Sequence, residues 1–174
     1  FSLHVYDLLL ESGADLGLKH AGLSTLETLS MEKAYRDYGH DIDNLDTPLE
    51  VGLGFTVDAD KPVDFIGKEA FIKQKASGML KKRLVQFLLE DPQPLLHGGE
   101  PIYRDGIRVG DIHSGNYGHT LGSAVGLGPI RNIDGVSKDY IQNGNFEIEV
   151  VGVRYPASAS LRPMYDPKNE KIKG

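Results

Sequence analysis

The sequence contains no cysteine among its 174 residues. That absence excludes a disulfide framework, a thiolate metal site and a thiol nucleophile, and it fits a reducing compartment. No apolar run approaches the roughly 20 residues that a membrane-spanning helix needs. Basic residues are also in the minority: the net charge is −6 and the pI about 5.5. This charge argues against a nucleic-acid partner and against docking on anionic membranes.

Signatures of metal and dinucleotide binding are missing as well. The six histidines follow no metal-ligand spacing, and we therefore predict no metal site. The short Gly126–Gly128 run lacks the length and the context of a dinucleotide-binding loop. We expect nothing in this chain to hold a flavin.

What is present indicates a packed protein whose first part is helical. Apolar residues make up 40% of the chain, enough for one ordinary domain or two small ones. Apolar spacing predicts helices over 3–16 and about 25–35, the second opened by a capping box of Ser24 and Glu27. A third helix is predicted from about residue 64 to 77, and a short strand around 55–57.

The second predicted helix has two distinct faces at 100° per residue. One is a stripe of small and branched apolar residues, namely Leu23, Leu26, Leu29 and Ala34. The other is mixed and contains Thr28, Met31, Glu32 and Tyr35. Glu32 therefore lies on a partly apolar face that a ligand or another element could cover.

From residue 83 onward the pattern changes to short strands separated by turns. A buried strand is predicted over 84–89, and Asp105-Gly106 predicts a hairpin between 101–104 and 107–112. Alternation predicts further strands over 146–150 and 157–161, and a shift of apolar phase between them predicts a bulge near Gly152. The fold class is therefore α+β, ending in a small antiparallel β-barrel, with the boundary at residues 78/79.

Four stretches in the predicted helical part of the chain together resemble the folate-binding family of the glycine-cleavage T-protein. They are 29–35 (Leu-Ser-Met-Glu-Lys-Ala-Tyr), 38–42 (Tyr-Gly-His-Asp-Ile), 47–53 (Thr-Pro-Leu-Glu-Val-Gly-Leu) and 64–70 (Asp-Phe-Ile-Gly-Lys-Glu-Ala). The barrel half adds 109–115, which is similar to the family's Val-Gly-x-x-x-Ser-Gly turn. The resemblance implies a partial folate-binding α/β domain over 1–78 and a C-terminal barrel domain over 79–174.

Two details resemble the flavin-linked branch of sarcosine and dimethylglycine dehydrogenases. Residues 29–34 depart from the T-protein pattern Leu-Arg-Leu-Glu-Ala-Gly, and the tail 165–174 is similar to the end of sarcosine dehydrogenases. In that branch an upstream FAD domain oxidises the N-methyl group of a small amine. The carboxy-terminal region holds tetrahydrofolate, which captures the released one-carbon unit as methylene-tetrahydrofolate.

The resemblance implies that Glu32 binds the pterin ring. A pterin edge presents two parallel N–H donors, and a carboxylate offers two acceptors in matching geometry. The alternative is an exposed carboxylate paired with Arg36 one turn along the helix. Tyr35 and Tyr38 are candidates to stack on or rim the pterin, with core packing as the alternative.

The remaining candidates lie in the barrel half. Arg83, with Lys82, could meet the glutamate tail of folate, and a solvated strand end is the alternative. His113, Ser114 and Tyr117 lie in a glycine-rich turn that could face the site. The catalytic residues are unknown: the family's aspartate lies outside this chain, and neither Asp41 nor Asp43 takes its role.

The chain begins with Phe1 rather than methionine, and we expect it to be an interior segment of a longer protein that is inactive on its own. Expected partners are its own upstream flavin domain, a small N-methyl amine and an electron-transfer flavoprotein. The expected location is the cytoplasm in a bacterium or the mitochondrial matrix in a eukaryote. Two other functions stay open: a stand-alone aminomethyltransferase, and a non-catalytic regulatory relative.

Overall fold

A computed structural model describes all residues, 1–174. The first 81 residues are helical or irregular. Their helices, with the two 3₁₀ turns, are α1 (Ser2–Gly13), Ala14–Leu16 (3₁₀), α2 (Leu23–Glu32), Gly54–Thr56 (3₁₀) and α3 (Lys68–Ser77). The three predicted helices are thus confirmed, with α3 beginning four residues later than expected.

The rest of the chain is built on seven strands and two short helices. The strands are β1 (Lys82–Leu89), β2 (Pro101–Arg104), β3 (Ile107–Asp111), β4 (Ser114–Gly118), β5 (Ser123–Arg131), β6 (Phe146–Val150) and β7 (Val153–Ser160). The short helices are α4 (Lys138–Gln142) and α5 (Glu170–Lys173).

Six strands close into an antiparallel barrel, which confirms the predicted fold class. The order is β1-β7-β6-β2-β3-β5, and pairing of β1 with β5 closes the ring. The seventh strand, β4, lies outside the ring and pairs with β5. It shares one edge of β5 with β3: Gly110 of β3 pairs with Ile130, and Ser114 of β4 pairs with Leu127. A side chain at Gly110 would lie 2.0 Å from the carbonyl oxygen of Pro129, so this close strand contact requires glycine.

Two apolar clusters lie on opposite sides of β1. The larger fills the barrel and includes Val85 and Phe87, both fully buried. The smaller lies outside the barrel, where Leu84 packs with Met31, Ala34, Val51, Val125 and Leu127. Because successive strand residues alternate sides, β1 joins the barrel core to the segment that carries α2.

Three sequence predictions about local structure are wrong. Helix α2 begins at Leu23 with Gly22 as its N-cap, so Ser24 lies inside the helix and forms no capping box. Residues 54–56 form a 3₁₀ turn rather than a strand, because the Thr56 hydroxyl and N–H both donate to the Leu53 carbonyl.

The bulge predicted near Gly152 is a hairpin turn. Val151 and Gly152 have φ of 50° and 78°, and they join β6 directly to β7. The change of apolar phase therefore marks the start of a new strand. The predicted hairpin at Asp105-Gly106 is confirmed, with both central residues at positive φ (50° and 80°).

Much of the helical segment is exposed. No residue of α1 is buried, and the leucine stripe of α2 (Leu23, Leu26 and Leu29) is more than half exposed. The face of α2 that packs on the barrel is the mixed one, with Thr28, Met31 and Glu32. All seven strands lie after residue 81; the division at residues 78/79 stays a prediction.

Candidate functional site

Glu32 is the last residue of α2 and is only 1% exposed. Its Oε1 accepts hydrogen bonds from the backbone N–H groups of Thr120 (2.6 Å) and Leu121 (3.1 Å). The alternative of a solvated carboxylate is therefore wrong, and so is the pairing with Arg36. The Arg36 guanidinium donates to the carbonyls of Val51 and Ala34.

The second oxygen of Glu32, Oε2, has no hydrogen-bond partner within the chain. The fully buried side-chain atoms without a partner are Asp41 Oδ1 and Arg83 Nε, and Glu32 Oε2 is not one of them. Glu32 Oε2 is therefore only marginally accessible, in a residue that is 1% exposed. A charged acceptor held in this way is available to a ligand that brings a donor.

The backbone turns sharply just after Glu32. Ala34 has φ of 50°, the left-handed conformation that commonly ends helices, and the N–H of Tyr35 donates to the carbonyl of Ser30. The resembled T-protein pattern has glycine at the position of Ala34, which the left-handed geometry explains. This cap ends α2 at Glu32 and so determines the position of the Glu32 side chain.

Gln86 holds the end of α2 against the barrel. Its side-chain nitrogen donates to the carbonyls of Met31 (2.8 Å) and Glu32 (3.1 Å). Its side-chain oxygen accepts from the N–H of Met164 at 2.8 Å. Gln86 is 2% exposed, so these bonds form out of contact with water and tie three segments together.

Lys33 joins the same region to the carboxy-terminal segment. Its ammonium donates to the carbonyl of Asp166 (2.6 Å) and to Asn169 Oδ1 (2.7 Å), and lies 3.3 Å from the Asp166 carboxylate. Burial alone would raise the pKa of Asp166. Hydrogen bonds from the N–H of Lys171 and from Lys33, joined by the N–H of Glu170, outweigh burial and hold this pKa below its ordinary value.

Tyr35 and Tyr38 are the exposed candidates. Their exposed fractions are 51% and 69%, so neither packs in the core of this chain. Both follow Glu32 within six residues, on the loop that leaves α2. Their rings are available to a ligand or to another protein surface.

Arg83 is not brought together with Glu32. Strand alternation puts it on the side of Val85 and Phe87, whereas Leu84 and Gln86 face α2. Its Nε is buried without a partner, and burial lowers the pKa of the guanidinium. Arg83 therefore carries an unused donor that a negative group could accept.

The neighbouring Lys82 is already paired. Its ammonium lies 2.7 Å from the Asp46 carboxylate and 3.9 Å from that of Glu50. Burial alone would raise the pKa of Asp46, but the hydrogen bond from Lys82 helps to hold it below the ordinary value. Lys82 thus fastens the loop before α3 to the barrel.

The glycine-rich segment with His113, Ser114 and Tyr117 enters and forms β4. The His113 ring nitrogen Nδ1 lies 3.3 Å from the carbonyl oxygen of Asp41. Asp41 is 4% exposed and accepts from the N–H of Asp37. This segment therefore contacts the loop after α2 as well as the barrel.

Two cavities lie away from the predicted residues. One, of about 630 Å³, lies between α3 and the loop that includes Pro48 and Val57. The other, of about 480 Å³, lies beside α1 and includes Tyr6 and His20. Neither is lined by Glu32, Tyr35, Tyr38 or Arg83. No group of three or more histidines and acids could hold a metal ion.

Sequence reasoning missed Gln86, Thr120 and Leu121. A glutamine within the apolar run of 84–89 is a signal for Gln86, because buried polar groups need partners. Thr120 and Leu121 act through backbone N–H groups, and no side-chain pattern reveals these.

None of the helices is long and apolar enough to cross a membrane.

Two family models match this chain. The glycine cleavage T-protein C-terminal barrel domain matches residues 82–166, and the GCVT N-terminal domain matches residues 1–61. Among solved structures, the glycine cleavage system aminomethyltransferase T from Bartonella henselae superposes with a TM-score of 0.76 over 93% of this chain and 44% of that one. Its identity is 20%, so this likeness concerns the fold alone.

Curated relatives include both flavoenzymes and transferases. The chain is 43% identical to 4-methylaminobutanoate oxidase (formaldehyde-forming) of Paenarthrobacter nicotinovorans, over 99% of this chain and 20% of the relative. It is 39% identical to human mitochondrial sarcosine dehydrogenase, over 98% and 18%. An aminomethyltransferase of Halothermothrix orenii is 44% identical, over 75% and 36%. The chain thus spans about a fifth of the length of the first two relatives.

Proposed function

This chain belongs to the glycine cleavage T-protein family, and from that premise we propose that it is the tetrahydrofolate-binding region of an FAD-dependent N-methyl amine dehydrogenase. The observation that carries the proposal is the buried Glu32 carboxylate with one oxygen free. Family membership supports a folate-related one-carbon function. The flavoenzyme assignment rests on similarity to an oxidase and a dehydrogenase named for N-methyl amines.

The residues at the end of α2 fit a pterin. Both hydrogen bonds to the Glu32 carboxylate end on Oε1, which leaves Oε2 as a charged acceptor for the N–H donors of a pterin edge. Tyr35 and Tyr38 offer exposed aromatic faces for a flat ring. Arg83 stays a predicted contact of the folate tail, although its unpaired Nε is buried on the side of β1 that faces away from α2. Bound tetrahydrofolate would supply the group that takes up the one-carbon unit.

The rest of the proposed reaction lies upstream of this chain. We propose an FAD domain that oxidises a small N-methyl amine such as sarcosine, dimethylglycine or 4-methylaminobutanoate, and an electron-transfer flavoprotein as acceptor. No residue of this chain takes the role of the family's catalytic aspartate, so the chain alone would bind without turnover. The proposed location is the bacterial cytoplasm or the mitochondrial matrix.

The test uses the full-length protein. Flavin should co-purify and be reduced by at least one of the three N-methyl amines, and calorimetry should detect tetrahydrofolate binding. Glu32→Ala should weaken that binding by about 1–3 kcal/mol, since a charged hydrogen-bond partner is lost. Unchanged affinity in this variant would remove Glu32 from the site.

The principal alternative is a flavin-free aminomethyltransferase, favoured by the 44% identity to the Halothermothrix orenii enzyme. It predicts tetrahydrofolate binding without co-purifying flavin. A second alternative is a non-catalytic role. It is favoured by the 37% identity to a mouse protein that is named as a regulatory subunit, that of mitochondrial pyruvate dehydrogenase phosphatase. That role predicts neither bound flavin nor amine oxidation.

A further inference from the structure

The turn between β4 and β5 points two backbone donors at one atom. Gly118 ends β4 and Ser123 begins β5, and between them the N–H groups of Thr120 and Leu121 converge on Glu32 Oε1. An oxygen has two lone pairs, and both are used here. Only Oε2 is left to accept a hydrogen bond from a ligand.

The turn is held in this shape by its own bonds. The N–H of Gly122 donates to the carbonyl of Gly118 at 2.7 Å, and the Tyr117 hydroxyl donates to the carbonyl of Gly122 at 2.9 Å. Gly122 has φ of 80°, which glycine adopts without strain. The two donors are therefore in place independently of Glu32.

The turn also fits closely around the carboxylate. A side-chain carbon added at Gly118 would lie 3.2 Å from Glu32 Oε1 and 3.3 Å from the Cβ of Leu121. On the other side, Gln86 fixes the carbonyl of Glu32. The carboxylate is thus held by the turn, and the backbone of the same residue by Gln86.

We infer that the Gly118–Gly122 turn is a positioning element of the ligand site, which commits Glu32 Oε1 to the protein and presents Oε2 alone to the ligand. The inference rests on the proposed function for the identity of the ligand. It replaces the expected two-oxygen pairing with the pterin by contact through a single oxygen.

The inference makes a glutamine at position 32 informative. The turn requires an acceptor at the Oε1 position, so the amide oxygen of Glu32→Gln must face Thr120 and Leu121. Its NH₂ then occupies the Oε2 position and opposes the N–H edge of a pterin, donor against donor. If the turn could release the side chain, the amide would rotate and offer its oxygen to the ligand.

The first measurement is calorimetric titration of the full-length protein with tetrahydrofolate. Glu32→Gln should lose roughly tenfold or more in affinity, as much as Glu32→Ala does. Glu27→Gln is the matched control, because Glu27 is exposed on the same helix, and its affinity should equal that of the wild type. Affinity of Glu32→Gln within about threefold of the wild type would overturn the inference.

The second measurement is amide hydrogen exchange of Thr120 and Leu121, which needs no ligand. Both amides should be protected in the wild type and in Glu32→Gln, exposed in Glu32→Ala, and still protected with tetrahydrofolate bound. Loss of protection on ligand binding, or no loss in Glu32→Ala, would overturn the inference. If tetrahydrofolate does not bind the wild type, the proposed function fails, and exchange alone decides the positioning role.

A third variant disturbs the turn and leaves position 32 intact. Gly118→Ala should weaken tetrahydrofolate binding severalfold by crowding Oε1. Gly22→Ala is its control, since an added carbon there meets no atom within 4 Å. If both variants fold and bind tetrahydrofolate with equal affinity, the positioning role of the turn is contradicted.

Discussion

The Glu32 carboxylate accepts its shortest hydrogen bond, 2.6 Å, from the backbone N–H of Thr120, 88 positions along the chain. This bond joins the end of a helix to the turn that follows β4, the end strand of the sheet. Charge-assisted bonds to backbone donors are among the stronger polar contacts in proteins. Glu32 therefore supports the fold as well as the proposed ligand site.

Glu32→Ala should consequently destabilise the protein by about 1–3 kcal/mol, because two backbone N–H groups lose a charged acceptor. Urea unfolding followed by fluorescence or circular dichroism would measure this change. Glu27→Ala on the exposed side of α2 should stay within about 0.5 kcal/mol of the wild type. Equal stability of the two variants would contradict a structural role for the Glu32 bonds.

Gln86→Leu should cost about 2–4 kcal/mol of stability. The leucine has nearly the same volume but leaves the carbonyls of Met31 and Glu32 and the N–H of Met164 without partners. Gln93→Leu, at an exposed position, is the matched control and should be close to neutral. A chemical denaturation series would compare them, and a neutral Gln86→Leu would mean that water replaces these bonds.

Asp166 should contribute stability that depends on pH. Its folded pKa is lowered, so the contribution is fully present above the unfolded value of about 3.9 and is lost as pH falls through the folded pKa. Asp166→Asn should therefore be less stable than the wild type at pH 6, with the difference shrinking below about pH 4.

Thermal unfolding of Asp166→Asn across this range is the measurement, and Asp7→Asn on the exposed helix α1 is the control. Asp7 is exposed, so its variant should be as stable as the wild type. A constant difference between Asp166→Asn and the wild type from pH 3 to pH 6 would contradict the pKa direction.

Val151→Asn should stabilise the protein by about 1 kcal/mol. Val151 is 98% exposed and has φ of 50°, a conformation that costs a non-glycine residue roughly 1–2 kcal/mol and that asparagine tolerates. Val63→Asn, also exposed, should bring no gain. The midpoint of thermal unfolding would separate the two, and a lower midpoint for Val151→Asn would refute the strain argument.

The local chemistry of the barrel was predictable from sequence. The dipeptide Asp105-Gly106 is sufficient to predict a two-residue hairpin turn. The alternation over 146–150 predicts a strand with one buried face and one solvent-facing side. Val151-Gly152 has the same geometry but begins with a β-branched residue that rarely adopts positive φ. The shift of apolar phase at this point predicts a bulge, whereas the structure has a turn.

The candidate site was predictable only in part. The sequence pattern separates the two faces of α2 but cannot say which one meets the barrel. The exposed leucine stripe is more apolar than the buried face with Thr28 and Glu32. Contacts such as Glu32 with Thr120 depend on tertiary distance and on backbone donors, which no residue pattern encodes.

Strand β4 is the sole strand of the sheet with an unpaired edge, and α2 packs against it. Free edges recruit strands from other molecules, and we expect the contact between α2 and β4 to hinder such pairing. Substitutions that loosen the end of α2 would then produce two separate defects: weaker ligand capture and a tendency to form oligomers through β4. Light scattering of such variants would reveal the second defect even where the first is small.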